Sequence, residues 1–158
     1  MNAKKIFSMM ALMVSASVAQ AQTANQTVTF QVDAINQIAF SGSPSLTINT
    51  ATAGSNPTQA TAVANWAVTT NQTGAKITAS IGSNMPAGLT LQVNLSAPAG
   101  ASSAGAQSLS TTAVDLVTGI TKLAQSAMGV TYSLDATPAA GVVASQSRTV
   151  TYTITGGV

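Results

Sequence analysis

The chain contains no cysteine and no histidine, and its three acidic residues, Asp33, Asp115 and Asp135, are all aspartates. Without cysteine there is no disulfide, no thiolate nucleophile and no sulfur-ligated metal. Without histidine there is no imidazole to act as the base of a catalytic triad or to ligate zinc. Charged residues make up only 5% of the chain, against about 25% in an ordinary domain. A metal would have to be held by oxygen, yet no aspartate sits in a D-x-D-x-D-G calcium loop. Paired-carboxylate chemistry would need two of these dispersed acids to meet. A nucleophile elbow is missing too, because Ala101-Ser102-Ser103-Ala104-Gly105 lacks the first glycine of G-x-S-x-G. The expectation is a protein that is not an enzyme and uses no cofactor or metal.

The formal charge of +2 and the pI near 9.3 invite a search for a basic surface. Lys4 and Lys5 open the chain, however, followed by an apolar stretch from Ile6 to Val18 and by Ala19-Gln20-Ala21. A charged start, a short apolar core and an A-x-A site read as a secretory signal peptide over residues 1–21. The stretch is too short for a membrane-spanning helix, and no later run is long enough either. Cleavage would leave Lys76, Lys122 and Arg148 against the three aspartates, a balance of zero. Those cations are scattered singly, so no nucleic-acid partner is expected. The expected location is secreted: the periplasm, cell surface or medium, most simply of a bacterium.

The remaining chain, 22–158, reads as one domain. Its dominant signal is period-two alternation, which places successive side chains on opposite faces of a strand. Thr27-Val28-Thr29-Phe30-Gln31-Val32 turns Val28, Phe30 and Val32 to one side. Leu46 and Ile48, Trp66 and Val68, then Ile77, Ala79 and Ile81 repeat the pattern. Leu89, Leu91, Val93 and Leu95 carry it most regularly, followed by Met128 to Leu134 and by Val150, Tyr152 and Ile154. Gly-, Pro- and Asn-rich turns separate these segments, as in Gly54-Ser55-Asn56-Pro57 and Asn84-Met85-Pro86-Ala87-Gly88. Such spacing predicts an all-β chain: an antiparallel, immunoglobulin-like β-sandwich of about 7–9 strands. Residues 22–33 would be its N-terminal strand or a donor arm. The stretch 112–125 is ambiguous. Leu116, Val117, Ile120, Leu123 and Ala124 fall at helical spacing, while its threonines and Gly119 disfavour a helix. Strand over Ser108–Val117 with a loop or a single helical turn over Thr121–Ser126 is the first reading, and a helix over Thr112–Gln125 the alternative.

The aromatic residues after the signal are Phe30, Phe40, Trp66, Tyr132 and Tyr152. All but Phe40 lie in phase with apolar neighbours and read as core. Phe40, at a strand end, is the candidate for exposed stacking on a sugar. The solvent faces are built from Thr, Ser, Asn and Gln. Charge is one of the devices that blunts a sheet edge against pairing, and it is nearly missing from the first and last segments.

A polar arm leading into Thr27–Val32, a Thr/Ala/Ser-rich sandwich and a terminal Thr149-Val150-Thr151-Tyr152-Thr153-Ile154 together resemble secreted fimbrial or filament subunits. The resemblance is architectural. The chain differs from common chaperone–usher pilins in having no cysteine pair and no tyrosine next to its C-terminus. It implies a secreted structural subunit of a filament or surface layer that self-associates through edge strands. Val28, Phe30 and Val32 would be the inserted side chains, and Val150, Tyr152 and Ile154 the receiving edge. The alternative is a monomeric cell-surface adhesion module for a glycan or protein, with contacts in loops such as Ser83–Gly88 or Ala97–Gly105.

Overall fold

The structure is a computed structural model that describes residues 20–157. Residues 1–19, which hold most of the expected signal peptide, and Val158 lie outside the described residues. The chain divides into two units at the Val32–Asp33 junction. In the first, residues 20–32 carry no helix or strand and their side chains are exposed. Thr27–Val32, which has strand-like alternation, belongs to no strand among the described residues.

Residues 33–157 build the expected sandwich of two antiparallel sheets. In chain order its strands are β1 (Asn36–Ser41), β2 (Ala60–Thr70), β3 (Ala75–Ile81), β4 (Leu89–Leu95), β5 (Ser102–Ser103), β6 (Gln107–Ser108), β7 (Val114–Ile120), β8 (Leu123–Ala136) and β9 (Val150–Thr155). One sheet has the order β1-β2-β8-β4-β6 and the other β5-β7-β3-β9. Threonine and β-branched residues favour this pleated geometry because their restricted side chains pack well on it. In β3 the alternating Ala75, Ile77, Ala79 and Ile81 are buried, as are Leu91, Val93 and Leu95 in β4. Together with Trp66, Leu116, Val117, Ile120 and Val130 they fill the space between the sheets.

The stretch with helical spacing is strand, and the helix over Thr112–Gln125 does not form. A register shift around Ile77, where β3 pairs with β7, accompanies the burial of two consecutive residues, Leu116 and Val117. Burial at 116, 117 and 120 imitates the helical period. Thr121 and Lys122 then carry the chain from one sheet to the other, with Lys122 in the left-handed region at φ 41°. Its N–H donates to the Gln72 carbonyl at 2.9 Å. The expected strand over Ser108–Val117 is likewise split into β6 and β7, and the expected loop over Thr121–Ser126 is taken over from Leu123 by β8. A second bulge, where β2 shifts register between Trp66 and Val68, lets the long β8 bend; Ala127, at φ 55°, sits in it.

Leu46 and Ile48 are half-buried but belong to no strand. The missed strand is β1, which pairs with β2 from Asn36↔Thr70 to Ser41↔Asn65. Its first turn is held from the β2–β3 loop, where Asn71 Nδ2 donates to the Asp33 carbonyl at 2.7 Å and Asn71 Oδ1 accepts from Ile35 N–H at 2.8 Å.

Candidate functional site

The two sides of the sandwich are built differently. One side is closed by β5 and β6, strands of two residues each, and very short edge strands offer little template for pairing. The other side ends in β1 and β9, each six residues long and uncharged. Among the described residues β1 pairs only with β2, and β9 only with β3. Their inward side chains, Ile38 and Phe40 on β1 and Val150, Tyr152 and Ile154 on β9, are half-buried, whereas β3 and the middle stretches of β4 and β8 bury theirs. A cleft of about 500 Å³ opens between these two edges, lined by Ile38, Phe40, Tyr132, Arg148, Val150 and Tyr152.

An aromatic stack floors the cleft. Phe40 lies on Tyr152 with ring centroids 3.8 Å apart, and Trp66 stacks beyond it at 6.1 Å. The Tyr132 and Tyr152 hydroxyls meet at 2.7 Å, joining β8 of one sheet to β9 of the other. Burial first, and then the hydroxyl contact with Tyr132, pushes the Tyr152 phenol well above the usual tyrosine range. Phe40 is therefore engaged against its own core, which corrects its reading as an exposed sugar platform.

The expected receiving residues Val150, Tyr152 and Ile154 thus lie together on one edge. The expected inserted residues are in the opposite condition: Val28 is 72% exposed, Phe30 89% and Val32 77%. The sequence reading missed Ile38 and Phe40 as the second wall of the cleft, although their i, i+2 spacing carried the signal. It also missed Arg148 at the cleft's end.

The aspartates occupy separate places. Asp115 on β7 pairs with Lys76 on β3 at 3.0 Å, both side chains about half exposed. Asp135 on β8, in the other sheet, accepts from Gln59 Nε2 at 2.8 Å. Among the described residues no cluster of three acidic or other metal-ligating side chains is present, and no helix is long and apolar enough to cross a membrane. No protein-family model matches the chain, and no curated protein or solved structure is significantly similar to it.

Proposed function

We propose that the chain is an exported structural subunit that associates with copies of itself through its β1/β9 side, the arm of one copy adding a strand to the next. The observation that carries this reading is a complementarity of exposure. The cleft between β1 and β9 leaves Ile38, Phe40, Val150 and Tyr152 only half covered, while Val28, Phe30 and Val32 stand exposed at the alternate positions of an uncharged arm. An added strand would bury those three side chains between the sheets and satisfy its backbone along an open edge. Main-chain hydrogen bonds would supply affinity and the alternation would fix register. No charge on β1 or β9 opposes such an approach.

The test is electron microscopy of the chain from Gln22 to Val158, with gel migration in SDS before and after boiling. Fibres or a boiling-sensitive ladder are expected, and Phe30→Asp should abolish both. Assembly that persists in Phe30→Asp would overturn the arm's role. A monodisperse monomer at high concentration would overturn self-association and turn attention to a monomeric adhesion module.

A further inference from the structure

A second cavity lies further along the sandwich, where the segments after β1 and before β9 cover the ends of β4 and β8. Its volume is about 610 Å³, within the range of sites that enclose small molecules. Leu46, Ile48, Met85, Leu89, Leu134 and Val143 give it apolar walls. No acidic residue lines it; Asp135, between the lining residues Leu134 and Ala136, accepts from Gln59 instead.

One charged group lines this cavity, the Arg148 guanidinium. Its three hydrogen bonds all go to neutral oxygens: Nη1 to the Ser147 carbonyl at 3.0 Å, and Nη2 to the Asn84 carbonyl at 3.4 Å and to Gln146 Oε1 at 3.1 Å. Arg148 Nε is buried and has no hydrogen-bond partner among the described residues. A guanidinium has five donors and keeps its charge at all ordinary pH values. Arg148 as a whole is half-buried, and none of these contacts supplies an anion to its charge. A pocket that sets apolar walls beside Thr47, Asn49 and Gln146 and carries one cation without an anionic partner suits one chemistry.

We infer that this cavity is a binding site for a small amphipathic acid, an aliphatic or aromatic body ending in one carboxylate, with the carboxylate held by Arg148. The apolar body lies against Leu46, Met85 and Leu134, and the carboxylate accepts from the Arg148 Nη groups, whose present partners are all neutral oxygens. Its walls come from loops and strand ends of a single copy, and Arg148 is the one side chain it shares with the β1/β9 cleft named above.

The test uses decanoate and its uncharged counterpart decanol, titrated into the chain from Gln22 to Val158 and followed by calorimetry and methyl NMR shifts. Decanoate should bind saturably with one equivalent, and decanol about tenfold more weakly, since a charge-assisted hydrogen bond is worth at least that factor. Shifts should centre on Leu46, Met85 and Leu134. Arg148→Gln should bring decanoate down to the affinity of decanol, and Phe30→Asp should leave decanoate binding to the unassembled chain unchanged. Equal binding of the two probes, shifts centred elsewhere, or no saturable binding would overturn the site. So would undiminished decanoate binding in a folded Arg148→Gln variant. Should that variant not fold, the comparison of the two probes on the unaltered chain decides alone.

Discussion

The Tyr132 and Tyr152 hydroxyls lie 2.7 Å apart and form a polar link between the two sheets beside the β1/β9 opening. Among the described residues β9 is an edge strand paired with β3 alone, so this bond and the stacked Phe40 fasten its inner face. Tyr152→Phe should lower stability by about 1 kcal/mol, the net worth of one such bond. Combining it with Tyr132→Phe should cost less than the sum of the two single changes, because both remove one interaction. Denaturant unfolding of the three variants checks this.

Alkaline pH should loosen the same link. The Tyr152 phenol titrates higher in the folded chain than the ordinary value near 10. The folded state therefore keeps a proton that the unfolded chain releases, and this contribution is full below pH ~10 and lost as pH rises above it. Unfolding free energy should fall beyond that point, and Tyr152→Phe should flatten the decline. An equally steep decline in the variant would place the titrating group elsewhere.

Gly88 closes the turn into β4, where Leu89 N–H donates to the Pro86 carbonyl at 3.1 Å. Its φ of 77° belongs to the left-handed region, and a Cβ there would come within 2.6 Å of the Ala140 backbone nitrogen. Thr137 N–H also donates to the Gly88 carbonyl at 2.9 Å, tying the end of β8 to this turn. Strain and clash act together, so Gly88→Ala should destabilise by about 1–3 kcal/mol. Ala substituted at Gly100, also at positive φ but in open space, should cost less. Thermal melts of the pair separate the clash from the backbone strain.

Strands whose pairing follows the simple pleat were legible in the sequence. Leu89 to Leu95 and Val150 to Ile154 alternate without interruption and are β4 and β9 in the structure. Trp66 and Val68 of β2, Ile77 to Ile81 of β3 and Met128 to Leu134 of β8 were legible too, while bulges hid β7 and the start of β8. The register shifts at Ile77 and between Trp66 and Val68 fall on the partners of those two stretches, so that Leu116 and Val117 are both buried and Leu123–Ala127 shows no period-two signal. β1 went unread because Ile38 and Phe40 are its only large apolar residues. Of the edge site, Val150, Tyr152 and Ile154 were visible as a strand face. That Phe40 faces Tyr152 across the sandwich is a property of topology, as is the cavity around Arg148, a lone cation that matches no motif.

The ion pair between Lys76 and Asp115 should matter little. Both side chains are about half exposed, at 45% and 49%, where solvent screening leaves such pairs at most about 1 kcal/mol. Asp115→Asn should therefore shift stability by less than that, and added salt should narrow the difference further. A loss of several kcal/mol would mean that Asp115 holds something besides Lys76.

The arm and the core should respond to substitution in opposite ways. Ile77 is fully buried between the sheets, and Ile77→Ala removes packed volume from a closed interior, so a loss of about 2–5 kcal/mol is expected. Phe30 is larger but 89% exposed, and surface changes of that kind usually stay within about 0.5 kcal/mol. In the isolated chain Phe30→Asp should thus leave the unfolding midpoint where it was. Should the same substitution abolish fibres, the Phe30 side chain must be buried by another copy, because its own copy does not use it for stability. A large destabilisation of the monomer by Phe30→Asp would instead mean that the arm completes its own sandwich in solution. Measuring unfolding and assembly on one preparation separates these two uses of the same alternating segment.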